Sequence, residues 1–411
     1  MRRVLGGILL WLLLLTVAEG EDGRVEISGR VKTFVLGYQM PEHAEVFGLE
    51  PASRHGQVNQ VWRGRALLVP STLLDLEVAY QVAPTLEQGG LATLADGLGP
   101  SPSPYRLVDL PNDLLGPGAG GTARVSQDLD RLVASLHLPF ADLLLGRQPL
   151  AFGSARVLNP TDVLAPFSYR ELDREERAGI DALRLRLPLG SLSEVDLGLV
   201  AGDHAQLADS AAFARVKASL LGLELVALGT AFQGNLLFGL DCSGELSGAG
   251  LWFETAYTLA GTLEEGQDEE DYLRLSLGAD YNVALRSGLY LALEYHYNGA
   301  GDADPSEALQ HRLTSPAYTE GSTYLLGRHY LAAVGRHELV PLWGGSLQVL
   351  CNLEDPSASI APAVDYNVAE EVYLDLGAFL QLGRGLTDQG TWRSEFGAYP
   401  VMVYTATRVY F

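Results

Sequence analysis

Charged side chains recur at every second position in otherwise apolar runs along this 411-residue chain. Arg63 and Arg65 share one parity, opposite Trp62, Ala66 and Leu68. Asp75 and Glu77 likewise oppose Leu74, Leu76 and Val78. Successive side chains of a strand point to opposite faces, so each run has one charged face and one apolar face. The basic set continues through Arg131, Arg147, Arg184, Arg186, Arg215 and Lys217, with Glu194 and Asp196 on the intervening segments. Further on the sign changes, to Asp241, Glu254, Glu294, Asp365 and Asp375. Two kinds of chemistry suit such faces. Neighbouring strands can hold cross-strand ion pairs, or a basic ladder facing an acidic wall can guide the charged groups of a passing solute. Covalent chemistry has no comparable support. No G-x-S-x-G, H-E-x-x-H, C-x-x-C or phosphate-loop motif occurs, and the eight histidines are scattered. The chain therefore reads as non-enzymatic, with no cofactor and no metal.

The elements that carry these residues are strands. Met1–Gly20 comes off first: Arg2 and Arg3 precede the apolar run Leu5–Val17, and Thr16-Val17-Ala18 offers small residues at a cleavage site. This is a secretory signal peptide, cut near Ala18–Gly20 and too short to span a bilayer. Residues 21–411 then form one domain. They contain no run of about 18 apolar residues, so no transmembrane helix is expected. Yet 47 % of the chain is hydrophobic and only 19 % charged. Apolar residues dispersed one in two, with charges deep within each segment, fit a transmembrane β-barrel around a polar lumen. A net charge of −23 disfavours nucleic acid as a partner. The two cysteines, Cys242 and Cys351, fall on apolar faces and read as unpaired.

About 18 alternating segments can be counted, an even number within the range of such barrels. Starting from the first, odd-numbered connections tend to be long (39–58, 85–127, 153–177, 261–271, 299–323, 383–398). Even-numbered ones are short, as at Pro70–Thr72 and Gly190–Ser193. Long extracellular loops alternating with short periplasmic turns are expected of an antiparallel up-and-down barrel. In the last segment, Tyr399–Phe411, Val409, Thr407, Thr405, Val403 and Val401 alternate with Tyr410, Arg408 and Tyr404. This places Val409 and Thr405 toward lipid and Arg408 toward the lumen. The run of carboxylates from Glu264 to Asp271 reads as a solvated charge run.

The stretch LGRQPLAFGSARVLNPTDVLAPFSYRELDREERAGIDALRLR, Leu145–Arg186, resembles a segment of porin-like Gram-negative outer-membrane barrels, including the alginate-export type. There a strand with Gly-Arg-Gln (here Gly146-Arg147-Gln148) runs into an Asn-Pro-Thr-Asp loop (here Asn159–Asp162). Ser168 and Glu171 have the spacing of a capping pair for a short helix through Arg177. The terminal Phe411, with Val409 and Thr407, resembles the C-terminal assembly signal of these barrels. The resemblance implies a passive channel for small hydrophilic solutes or ions. It also implies a bilayer setting with lipopolysaccharide, a partnership with barrel-assembly machinery, and a monomer or trimer. The third external loop of such porins often folds inward, which makes Arg156, Asp162, Arg170, Glu171, Asp173 and Arg174 the expected pore constriction. A non-transporting structural or adhesive barrel, its lumen closed by loops, is the alternative.

Overall fold

The computed structural model describes residues 24–43, 52–88, 104–116, 123–167, 171–263, 270–307, 314–319 and 323–411. The leader, Arg170, Ser168 and the acidic run 264–269 lie outside the described residues. Eighteen long antiparallel strands close into a barrel, and one short strand lies in a loop. In chain order they are β1 Arg24–Gln39, β2 Arg54–Ser71, β3 Leu74–Glu87, β4 Asp113–Leu115 (the short one), β5 Ala123–Leu138 and β6 Ala141–Gln148. Then come β7 Ile180–Pro188, β8 Glu194–Val200, β9 Ala211–Leu220, β10 Leu223–Phe232, β11 Asn235–Leu246, β12 Ala249–Leu259 and β13 Tyr272–Val283. The series ends with β14 Leu289–Asn298, β15 His329–Val340, β16 Trp343–Asn352, β17 Ser357–Ala369, β18 Val372–Leu382 and β19 Val401–Tyr410.

Each long strand pairs with its predecessor in sequence, and the ring closes where β1 meets β19, from Arg30↔Tyr410 to Gln39↔Val401. Two bonds seal the seam at its lower end. Gly29 N donates to Phe411 O at 2.7 Å, and Phe411 N donates to Gly29 O at 3.0 Å. First and last strands can pair antiparallel only because the count of long strands is even. The long connections then all lie at one rim, interrupted there only by the two short links Gln233-Gly234 and 353–356.

Burial is inverted relative to a soluble core. Leu145, Leu199, Phe238, Leu240, Leu376 and Val403 are exposed on the outside, whereas Lys32, Arg63, Asp196, Glu254 and Glu294 are buried inside. An exposed apolar belt of this extent is stable against hydrocarbon and costly against water. Cys242 and Cys351 are free thiols.

Two strands are shorter than their sequence alternation predicts. β6 ends at Gln148 rather than Phe152, and β15 begins at His329 rather than Tyr324. In both places the chain leaves the wall for the interior. Leu150 and Phe152 join an apolar cluster with Ile180, Phe213, Phe232 and Leu237. Leu325 packs against Leu158, Tyr330 and Phe396.

Candidate functional site: the lumen and its inward-folded loop

The described residues of the third external loop, 149–167 and 171–179, turn into the barrel. Gly146, at φ +118°, prepares the departure, since a Cβ there would lie 2.1 Å from Leu132 O. The loop is then fixed to one wall by its own backbone. Ser154 N and Ala155 N donate to Glu254 on β12 at 3.1 and 3.0 Å. Thr161 adds its N–H at 2.8 Å and its hydroxyl at 2.7 Å. Arg156 N and Leu158 N donate to Glu294 on β14, both at 2.8 Å, and Trp252 Nε1 donates to the same carboxylate at 2.9 Å. The Ser154 hydroxyl reaches Asp241 at 2.5 Å. Gly153 must be glycine for this contact: its φ is +89°, and a Cβ would stand 2.5 Å from both Glu254 oxygens. A buried carboxylate needs compensation, and these loop N–H groups supply it.

The same loop is tied to the opposite wall by side chains. Lys32 on β1 pairs with Asp173 at 2.7 Å and Glu175 at 2.8 Å. Arg30 meets Glu176 at 3.0 Å, Arg63 meets it at 3.3 Å and Arg131 at 3.2 Å. Arg408 on β19 and the Tyr410 hydroxyl both reach Glu175, at 3.1 and 2.5 Å. Burial alone would raise the Glu175 carboxyl. Lys32, Tyr410 and Arg408 outweigh it and hold the pKa down to about 2. Within the loop, Arg177 pairs with the buried Asp162, whose pKa burial raises nonetheless.

The expected constriction residues divide by role. Asp162 and Asp173 are anchors, and the Arg156 side chain leans on Asp280 at 3.2 Å and over Trp252. Arg174 Nε donates to Glu171 O at 3.2 Å, and its side chain lies in the lumen. Enclosure by the barrel lowers its pKa below the usual arginine value. Residues 171–177 form bends rather than the expected helix. Asp173, Glu175 and Glu176 there reach cations spread over β1, β2, β5 and β19, a span that one helical face cannot offer.

Ladder residues are spent on ion pairs. Arg65 bonds Glu77 at 2.6 Å, Arg184 bonds Asp196 at 2.6 Å, and Arg186 and Arg215 share Glu194, both at 2.9 Å. Lys217 pairs with Glu224. His137 bridges Asp75 at 3.0 Å and Asp142 at 2.8 Å. Asp375 holds Arg408 at 2.6 Å. Arg147 requires a correction, because it stands on the outer parity with Leu145 and opposite Asp181 rather than in the lumen. It bonds Asp181 at 2.8 Å, Asp109 at 3.2 Å and the Val108 carbonyl at 2.7 Å. Beside it Arg106 joins Asp128 at 2.5 Å and the Gly179 carbonyl at 3.1 Å. These contacts pin residues 105–109 into the gap in the wall that β6 leaves when it turns inward. Period-two counting misses this because the departure of a strand frees its outer face for a loop.

Glu175, Glu176 and Arg177 were not singled out from sequence, nor were Arg30, Lys32, Arg274 and Arg336. The run Asp173–Arg177, five charged residues of mixed sign within a loop, is the available signal. Two cavities adjoin the loop. A smaller cavity of about 280 Å³ is bounded by Arg156, Asp162, Arg174, Arg177, Arg274 and Arg336 among others. A larger one of about 860 Å³ extends toward the periplasmic turns, past Lys32, Asp365, Asp375 and Arg408. Arg174 and Arg336 line both.

A closed 18-stranded antiparallel barrel with a polar interior and an apolar outer belt is the fold of outer-membrane porins. Among solved structures, Acinetobacter baumannii OccAB4 is similar, with a TM-score of 0.55 at 9 % identity, covering 94 % of this chain and 98 % of that one. A BenF-like porin from Pseudomonas fluorescens gives 0.54 at 8 % identity, covering 95 % and 99 %. The outer membrane protein OpdK of Pseudomonas aeruginosa gives 0.53 at 7 % identity, covering 94 % and 98 %. No protein-family model and no curated protein matches the sequence.

Proposed function

We propose that this protein is a passive, water-filled channel of the bacterial outer membrane for small hydrophilic solutes or ions, narrowed by its third external loop. The reading is carried by one observation. Residues 154–161 are bonded to Glu254 and Glu294 on one wall, while residues 173–176 are paired to Lys32, Arg63, Arg131 and Arg408 on the other. A loop held at both ends across a barrel of this size would narrow the lumen and leave a path beside it. Solutes would then cross by diffusion, sorted by the width and charge of the gap the loop leaves. Arg156, Glu171 and Arg174, with Arg170, would line that gap, and the paired ladder would stiffen the wall. Lipid and lipopolysaccharide would surround the leucine belt. Phe411, Val409 and Thr407 would present the assembly signal to the barrel-assembly machinery.

One observation favours the non-transporting alternative. Tyr318, Leu326, Leu386, Trp392 and Ala398 form an apolar cluster among the outer loops. Reconstitution of the full chain into planar bilayers separates the two readings. Stepwise conductance supports the channel; a folded, heat-modifiable barrel that never conducts refutes it.

A further inference from the structure

The outer loops meet around one buried carboxylate. The connection from β18 to β19, residues 383–398, buries Trp392, Glu395, Phe396 and Ala398. Trp392 and Ala398 pack with Tyr318 and Leu326 of the β14–β15 connection, and Phe396 packs with Leu325 and with Leu158 of the inward loop. Thr323, Tyr324 and Leu325 in turn line the smaller cavity together with residues 156–159 of the inward loop. Residues 323–326 are thus a second side of that space, backed by residues 383–398. The polar tie between the two connections is Glu395. Its carboxylate accepts from Leu326 N at 3.1 Å, from Asn352 Nδ2 at 3.0 Å and from the Tyr330 hydroxyl, and its own N–H donates to Asp355. The other bonds that hold residues 325 and 326 come from Asn298 Nδ2, the Tyr318 hydroxyl and Asp302 N, at 2.7 to 2.8 Å. An amide, a phenol and a backbone N–H do not change charge near neutral pH; Glu395 can.

Resting on the channel reading, we propose that residues 383–398 are a proton-controlled strap: with Glu395 protonated they hold residues 323–326 against the inward loop, and its ionisation loosens that hold and widens the gap. The surroundings of Glu395 favour the neutral form. It makes no ion pair among the described residues. The titratable groups that face it are Tyr330 on β15, Asp355 in the 353–356 link with Glu354 beside it, and Tyr318 with Asp302 and Tyr399 around that phenol. Arg384 and Arg393 of its own connection are exposed. A charge enclosed without a cation is costly, and a neighbouring carboxylate adds repulsion. Burial accordingly outweighs the three donors and lifts the Glu395 carboxyl to about 7, from 4.5. The docked strap holds the proton more tightly than the loosened one, so docking is strongest below pH 4.5 and weakens as pH rises to 7. From pH 5 to pH 8 the docking equilibrium falls about 10- to 100-fold.

The test uses the full chain in planar bilayers at pH 5 and pH 8. Acrylamide quenching of Trp392 in the detergent-folded protein, read as the difference from Trp392→Phe, is the second measurement. The ratio of wide to narrow dwell times in the wild type is expected to rise about 10- to 100-fold at pH 8. Trp392, 2 % exposed in the docked strap, should become quenchable over the same range. Glu395→Gln should stay narrow and protected at both pH values. Asp355→Asn keeps an acceptor for Glu395 N but removes the neighbouring charge, so it should move the midpoint to lower pH. A conducting wild type that behaves alike at both pH values overturns the proposal and leaves the channel reading intact. So does a response undiminished in Glu395→Gln, or an unmoved midpoint in Asp355→Asn. If the barrel does not conduct, the channel reading fails, and quenching decides the strap alone. A Trp392 signal that rises with pH in the wild type but not in Glu395→Gln supports it, and one indifferent to pH overturns it.

Discussion

The attachment of the third loop to Glu254 is open to a single-residue perturbation with a calculable effect. Four donors converge on that carboxylate, three backbone N–H groups and the Thr161 hydroxyl, at 2.7 to 3.1 Å. Glu254→Gln keeps the size but turns one acceptor oxygen into a donating amide. At least two of the four donors then face another donor. Hydrogen bonds to a charged group are worth about 1.5–3 kcal/mol each, so the docked loop loses about 3–6 kcal/mol. That is a factor of about 10² to 10⁴ in the docking equilibrium. Glu294 and the salt bridges at the far end remain, so the barrel itself should still form. The expected result is a larger or noisier single-channel conductance, together with new protease cleavage between Ser154 and Asp162. Unchanged conductance and unchanged protection would refute the assignment of this carboxylate as the anchor, and with it the inward loop as the constriction.

Lys32→Ala should free the other end: Asp173 and Glu175 lose their shared cation, and conductance rises with less effect on thermal stability than Glu254→Gln. Arg184→Gln strands the fully buried Asp196. Removing one partner of a buried pair costs about 3–5 kcal/mol, so the melting temperature should fall, ion selectivity should stay put, and Arg184→Gln with Asp196→Asn should recover stability. Glu395, buried in the outer-loop core, accepts from Leu326 N at 3.1 Å, Asn352 Nδ2 at 3.0 Å and the Tyr330 hydroxyl. Burial outweighs these bonds and raises its pKa to about 7 from 4.5. The folded state thus holds its proton more tightly than the unfolded state, so its contribution is fullest below pH 4.5 and declines as pH rises toward 7. Unfolding temperatures at pH 5 and pH 8 should differ in that sense for the wild type, and the difference should shrink in Glu395→Gln. Deleting Phe411 removes the paired bonds to Gly29 at the closing seam. Outer-membrane levels of folded barrel should drop, as read by heat-modifiability on gels.

The barrel was legible because its signal is local. Alternation in Leu289–Asn298 or Val401–Tyr410 needs only the neighbours in sequence, and each face has one environment along its whole length. The alternation of long and short connections added the topology, since it repeats with every hairpin. The site was legible only as an inventory. Arg63, Arg131, Glu254 and Glu294 could be assigned to the lumen face, but parity says nothing about what comes to meet them. Their partners lie across the barrel, supplied by a loop that crosses it, and that crossing is decided by packing of Leu150, Phe152 and Leu158 as much as by charge. Hence Glu294, expected in an acidic wall facing solute, is consumed by loop backbone. Lys32, the sole lysine besides Lys217, is instead a principal tether. The same logic explains Arg147. Its sequence neighbours Gly146 and Gln148 mark the point where β6 leaves the wall, and a side chain at such an exit belongs to whichever loop fills the vacancy. Charge on a strand face is thus first a device for holding the barrel and its loop together. Only charge that this pairing leaves over is available to act on a solute.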